Sequence, residues 1–230
     1  MYRNVLVGVA TVMLLFSSAA FAQKTKVTDP EINDGLKLAL SKGVDSAVKL
    51  LGRPDGFLAN PRVKIPLPSG LQKMEKALRV AGQGRKVDEF VASMNHAAEK
   101  AVPVAIDVFV DAIKQMTFDD VRKILFSGQQ DAATQFFRRT SEETLRGKFR
   151  PIVEKFTAEV GVTQKYKSMV GKYGFASALL GKDSTDLDGY VTQKALDGLF
   201  LFIADEEKKI RKDPLKQTAS ILRKVFGILK

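Results

Sequence analysis

The fold class is decided by residues 31–51, which read EINDGLKLALSKGVDSAVKLL. Apolar residues recur there every three or four positions, and they are Ile32, Leu36, Leu40, Val44, Ala47, Val48 and Leu51. Lysine and aspartate residues occupy the other side of the helical projection. This is the period of an α-helix that buries one face. Gly52 and Pro54 predict the end of that helix.

The same helical period continues through most of the chain. Residues 86–116 carry a long apolar stripe, in which Pro103 is expected to kink or split the helix. Thr117 and Asp120 then have the spacing of a capping box, which predicts a new helix start. No stretch of useful length alternates apolar and polar residues. We therefore predict an all-α fold, with residues 23–230 forming a single-domain bundle of about eight or nine helices.

Two helices are expected between residues 131 and 160. Asp131 predicts the start of a short helix that contains Phe136 and Phe137. Thr140 and Glu143 repeat the capping-box spacing and predict the start of a second helix there.

A long helix after Asp188 is apolar on nearly every side at its centre. Its apolar residues are Tyr190, Val191, Leu196, Leu199, Phe200, Phe202 and Ile203. Such a helix is expected to be buried among others. It would either fill the core or line a ligand cavity.

One long non-helical stretch interrupts the helices, from Arg53 to Ser69. Residues 64–68, KIPLP, are expected to be extended because a residue that precedes proline is displaced from helical backbone angles.

The first 22 residues have the layout of a secretory signal peptide. Arg3 supplies a positive charge, residues 5–16 are apolar, and small residues stand at 20 and 22. The apolar part is too short to span a bilayer. We predict cleavage after Ala22 and a periplasmic mature protein.

The amino-acid composition excludes several classes of function. The chain has no cysteine, which excludes thiol catalysis and thiolate metal sites. Removal of Arg3 with the leader leaves 36 Lys and Arg against 26 Asp and Glu, a formal charge of +10. Such a charge favours anionic partners in the envelope, namely lipid headgroups, polymers or acidic proteins, or it serves solubility alone. Export argues against nucleic acid as the partner.

His96 is the only histidine and the strongest single candidate for catalysis. A general base needs an orienting partner and a metal ion needs several ligands. Glu99, one helical turn away, is the partner that the spacing offers. We predict a structural or surface histidine, no metal site, no cofactor and no enzymatic activity.

Four phrases of the sequence resemble a known bacterial family. They are residues 56–61 (GFLANP), 64–68 (KIPLP), 131–138 (DAATQFFR) and 186–200 (DLDGYVTQKALDGLF). The family is similar over nearly all of the mature chain and is catalogued only as a domain of unknown function, number 4197. The resemblance implies an exported protein in the envelope of Gram-negative bacteria. It implies no activity, cofactor or catalytic residue.

Two binding hypotheses follow from the sequence. In the first, the protein carries an amphipathic anionic, lipid-like ligand in an apolar interior. The apolar contacts would come from Phe136, Phe137, Tyr190 and Phe200, and the headgroup contacts from Arg138 and Arg139. The other interpretation of the Phe–Phe–Arg–Arg run is that the rings belong to the core and the arginines extend to water.

In the second hypothesis, the protein is an interaction module that docks on an envelope protein or an anionic polymer. Residues Gly56 to Pro68 would then be the contact surface, because a proline-fixed segment loses little conformational entropy on binding.

Overall fold

A computed structural model describes residues 27–159, 186–213 and 220–227. Its helices are α1 (Asp29–Leu51), α2 (Ser69–Val80), α3 (Gly84–Ala101), α4 (Ala105–Gln115), α5 (Phe118–Phe126), α6 (Ala132–Glu159), α7 (Leu187–Lys212) and α8 (Ser220–Gly227). No strand occurs within these ranges, and the helices form one domain. The all-α prediction is confirmed. The predicted leader, residues 1–22, lies outside the described residues.

α7 is the central helix. It packs against α6, α1 and α3, and its apolar residues are buried on nearly every side. Asp186 caps its first turn, because the carboxylate accepts the Gly189 N–H at 3.0 Å. The interpretation of this helix as a buried one is confirmed.

The apolar stripe of residues 86–116 is divided as Pro103 predicts. α3 ends at Ala101, a 3-10 turn spans Val102–Val104, and α4 begins at Ala105. After α4, Thr117 and Asp120 form the predicted capping box at the start of α5: the Thr117 hydroxyl accepts the Asp120 N–H at 3.2 Å, and the Asp120 carboxylate accepts the Thr117 N–H at 3.0 Å.

The predicted break at Thr140 is wrong. α6 is continuous through Thr140, whose hydroxyl donates to the Phe136 carbonyl at 3.0 Å inside the helix. The reason is packing. Phe137, Ser141, Leu145, Phe149 and Val153 are all buried at four-residue spacing, so a single helix covers α7 without interruption.

α8 is held against the start of α1 by charge and close packing. Lys224 donates a side-chain hydrogen bond to Glu31, and the N–H and hydroxyl of Thr28 donate to the same carboxylate. The Lys224 hydrogen bond is the main cause that lowers the pKa of Glu31 to about 2 from its ordinary 4.5. Val225, which is buried, lies directly against Gly35.

The Glu31–Lys224 contact predicts acid sensitivity. Because the folded-state pKa is depressed, the contribution to stability is complete above pH 4.5 and is lost as pH falls from 4.5 towards 2. Glu31→Gln is expected to reduce the loss of unfolding free energy between pH 6 and pH 3, measured by urea denaturation at each pH. The control is Glu143→Gln, whose side chain is 88% exposed. An equal pH dependence in the parent protein and in Glu31→Gln would contradict the prediction.

Within the described residues, no helix combines the length and the apolar character needed to cross a bilayer.

Candidate functional site

The segment between α1 and α2 is held down by two side chains of α3. Asn95 and Glu99 are four residues apart, so they lie on the same face of the helix. Glu99 holds the start of the segment: its Oε1 accepts the N–H groups of Phe57 and Leu58 at 2.9 and 3.1 Å, and its Oε2 accepts that of Asp55 at 3.1 Å.

Asn95 holds the middle of the segment. Its Oδ1 accepts the Ile65 N–H at 2.8 Å, and its Nδ2 donates to the Ile65 carbonyl at 2.9 Å. This pair of bonds replaces the partner that a β-sheet would give to Ile65. Further along, the Tyr190 hydroxyl donates to the Pro66 carbonyl at 3.1 Å. Pro66 and Pro68 have no N–H to leave unpaired.

The predicted extended conformation gives the segment two faces. Val63, Ile65 and Leu67 are buried, whereas Lys64 and Pro66 between them are exposed. The exposed residues Pro61, Arg62, Lys64 and Pro66 are called the basic ridge below.

The ridge is also fixed from the side of α7. The Arg62 guanidinium pairs with Asp205 and lies 5.2 Å from the centre of the Phe202 ring. Beneath it, a Cβ on Gly198 would lie 2.8 Å from Cε1 of Phe57, so only glycine allows the segment to pack this closely on α7.

His96 lies at the surface beside the start of the segment. Its Nε2 is 3.3 Å from Oδ1 of Asp55, and the two side chains are 51% and 59% exposed. Asp55 has φ of 60°, a left-handed conformation that is uncommon outside glycine, asparagine, aspartate and histidine. The spacing in the sequence suggested Glu99 as the partner of His96. In the structure, both carboxylate oxygens of Glu99 accept hydrogen bonds from backbone N–H groups instead.

Of the residues predicted to bind a ligand, Phe137 and Phe200 are fully buried. Their rings meet that of Phe109 edge to face, with centroids 5.3 and 5.9 Å apart. Phe136 is half-buried, and its ring centre is 5.8 Å from that of Phe137.

Arg138 joins this cluster from the surface. Its guanidinium lies 4.6 Å from the centre of the Phe200 ring, and it donates to Glu142 at 3.4 Å and to Asp197 at 3.3 Å. Both carboxylates also accept from Gln193, and Glu142 accepts from Arg146. The positive charge of Arg138 is therefore balanced within the protein.

The structure does not bring all six predicted residues together. Phe136 contacts Phe137 and Arg138 contacts Phe200, and the ring of Phe109 connects the two pairs. Arg139 is exposed. Tyr190 precedes Phe200 by ten residues on α7, about 15 Å along the axis, and contacts the ridge segment instead.

A partly open space of about 10 Å³ lies between α1, α7 and α8. It is lined by Leu36, Ala39, Leu40, Gly43, Ile203, Glu207, Ile210, Arg211 and Phe226, and so by none of the six predicted residues. Ligand pockets for small molecules measure roughly 300–1,000 Å³. This space has room for about one water molecule.

Comparison with known proteins gives one result. A family model described as "Protein of unknown function (DUF4197)" matches residues 26–227. Comparison with curated proteins and with solved structures finds no match.

Proposed function

Because the chain belongs to the DUF4197 family of proteins of unknown function, we propose its role from the structure: a non-catalytic protein of the cell envelope that docks on an anionic partner through the basic ridge. The family assignment agrees with the resemblance in the sequence. It adds no activity, so the physical features of the ridge carry the proposal.

The observation that carries it is the rigid anchoring of an exposed segment. Glu99, Asn95 and Tyr190 bind the backbone from below. A surface whose conformation is already fixed loses little entropy when a partner binds. The bonds on Ile65 and the prolines on either side leave few backbone groups free for a partner strand, so recognition would use side chains.

The charge of the ridge points to an anionic partner. Lys64 is exposed, and Arg62 keeps its side chain 52% exposed while paired with Asp205. The chain as a whole has a formal charge of +11, which attracts negatively charged surfaces at long range.

We test the ridge with a photo-crosslinking amino acid at position 61 in intact cells. Lys64→Glu is expected to reduce the crosslinked complex severalfold and to make its yield less sensitive to salt. Lys148→Glu, the same reversal at an exposed lysine of α6, is the control and should leave the yield unchanged. Equal yields in the two variants would contradict docking through the ridge.

The lipid-carrier hypothesis stays a prediction. The contact of Arg138 with Phe200 joins a cation to an aromatic surface, as that hypothesis requires. However, Phe137 and Phe200 are buried in the core of the protein, so a lipid would have to separate α6 from α7 to reach them. Lipid extraction and native mass spectrometry of the periplasmic protein would support the carrier if a stoichiometric lipid is found.

A further inference from the structure

We propose that Asp55, His96 and Glu99 bind a divalent transition-metal ion, with Zn²⁺ as the best fit to the donor set. The site would fasten the loop before the basic ridge to α3. It does not depend on the proposed partner of the ridge. The sequence predicts no metal site because His96 has too few candidate ligands near it in the chain. Asp55 is 41 residues away from it, and only the fold brings the two together.

The geometry of the three donors suits a single ion. One ligand atom from each residue lies within 4.8 Å of the other two. Nε2 of His96 and Oδ1 of Asp55 are 3.3 Å apart. Two ligands at about 2.0–2.1 Å from a tetrahedral zinc ion are themselves separated by about 3.3 Å. The spacing of His96 and Asp55 therefore already suits the ion, and the Glu99 oxygen, within 4.8 Å of both, would move in to complete the site.

The electrostatics call for a cation. Glu99 is 4% exposed, and within the described ranges no Lys or Arg forms an ion pair with it. Buried carboxylates are normally paired with a cation or coordinate a metal. Two carboxylate ligands would balance the charge of a divalent ion, and the imidazole would bind it through an unprotonated nitrogen.

The carboxylate of Glu99 is held by hydrogen bonds, as those of metal ligands usually are. Oε1 of Glu99 accepts two backbone N–H groups, whereas Oε2 accepts only that of Asp55, which leaves Oε2 the better placed to coordinate. Such supporting hydrogen bonds orient ligands and tune metal affinity. Asp55, whose backbone is left-handed, places Oδ1 of its carboxylate 3.3 Å from Nε2 of His96.

The chemical nature of the three donor atoms favours some metal ions over others. One imidazole nitrogen and two carboxylate oxygens suit zinc, with water as the fourth ligand. Calcium prefers six to eight oxygen ligands, so the imidazole argues against it. Copper(II) and nickel(II) accept the same donors and are expected to compete with zinc.

The experiment uses the exported chain, purified without a histidine tag and treated with a chelator that is then removed. Zinc chloride is titrated by calorimetry, and the His96 ring is followed by ¹H–¹⁵N NMR. His96 is the only histidine, so its ring signals are unambiguous. We expect saturation at one equivalent, a shift of the Nε2 resonance and a higher unfolding temperature. No saturable binding, or binding without a change at Nε2, would overturn the proposal.

Two variants identify the ligands. Asn tolerates left-handed backbone angles, so Asp55→Asn keeps the loop while it removes the charge. It is expected to weaken zinc binding at least about tenfold. Loss of a residue that only hydrogen-bonds to a metal ligand already lowers affinity by about 10- to 100-fold. His96→Gln should abolish the binding. Asp107→Asn, on an exposed carboxylate of α4, is the control. Full zinc affinity in a folded His96→Gln protein would refute the site.

Discussion

Replacement of Glu207 by glutamine is expected to lower the free energy of unfolding by about 3–5 kcal/mol, the range found when one partner of a buried ion pair is removed. Glu207 and Arg211 are paired at 2.9 Å, with side chains only 6% and 11% exposed. Glu207 also accepts the N–H groups of Ala133 and Thr134, at 3.0 and 2.9 Å. One carboxylate of α7 thus caps the start of α6 and neutralises a largely buried arginine.

Glutamine has the shape of glutamate but the wrong hydrogen-bonding capacity. Its NH₂ group would face a backbone N–H or the Arg211 guanidinium, so a donor would meet a donor. Arg211 would keep its bonds to the carbonyls of Ile124 and Leu125 but lose its counter-charge. Buried donors without acceptors account for the expected size of the effect.

The neighbouring residue supplies the control. Glu206 pairs with Lys209, whose side chain is 69% exposed, so Glu206→Gln is expected to cost less than about 1 kcal/mol. Urea denaturation measures both variants. In the double variant with Arg211→Met, part of the loss should be recovered, because no unpaired charge remains. Equal losses in Glu206→Gln and Glu207→Gln would show that the buried pair has no special role.

Helices are predictable in this chain where the apolar periodicity ends at a residue that commonly terminates a helix. In α1 the buried positions Leu36, Leu40, Val44 and Val48 are those that the sequence pattern selects, and Gly52 follows its last residue. The capping box of Thr117 is likewise local, because both of its hydrogen bonds join residues three apart. Local patterns therefore suffice for these elements.

The capping-box spacing of Thr140 and Glu143 does not start a helix, because tertiary packing overrides this local signal. A threonine with a glutamate three residues later is compatible with a cap, yet Phe137, Leu145 and Phe149 keep one buried register across it. The continuous face on α7 stabilises a single helix. A buried stripe that keeps its phase across a capping pattern is the sequence signal that could have prevented the error.

The polar anchors of the ridge segment are not predictable from spacing alone. Asn95 and Glu99 are buried polar residues on a helix that is otherwise apolar on that side. The sequence shows their four-residue spacing, but their partners Ile65 and Phe57 are 30 and 42 residues away. Only the folded chain shows that the two side chains hold a loop rather than face water.

Loss of the Asn95 amide is expected to release the ridge segment. Asn95→Leu keeps a similar volume, but it leaves the N–H and carbonyl of Ile65 buried and unpaired, since both bind Asn95. Each unsatisfied group costs about 1–3 kcal/mol, so we expect a total loss of about 2–6 kcal/mol. Urea denaturation gives the global effect. Asn33→Leu, whose exposed amide donates to the side chain of the neighbouring Asp34, is the control.

Proteolysis distinguishes release of the segment from general destabilisation. Trypsin cleaves after Lys64, which is exposed but lies in a backbone that Asn95 fixes at the next residue. A protease must draw an extended and mobile segment into its active site, so cleavage reports local opening. In native conditions Asn95→Leu should speed cleavage at Lys64 by much more than cleavage after Lys148 on α6. If both sites become faster by the same factor, Asn95 contributes to overall stability alone, and the ridge owes its rigidity to Glu99 and the prolines.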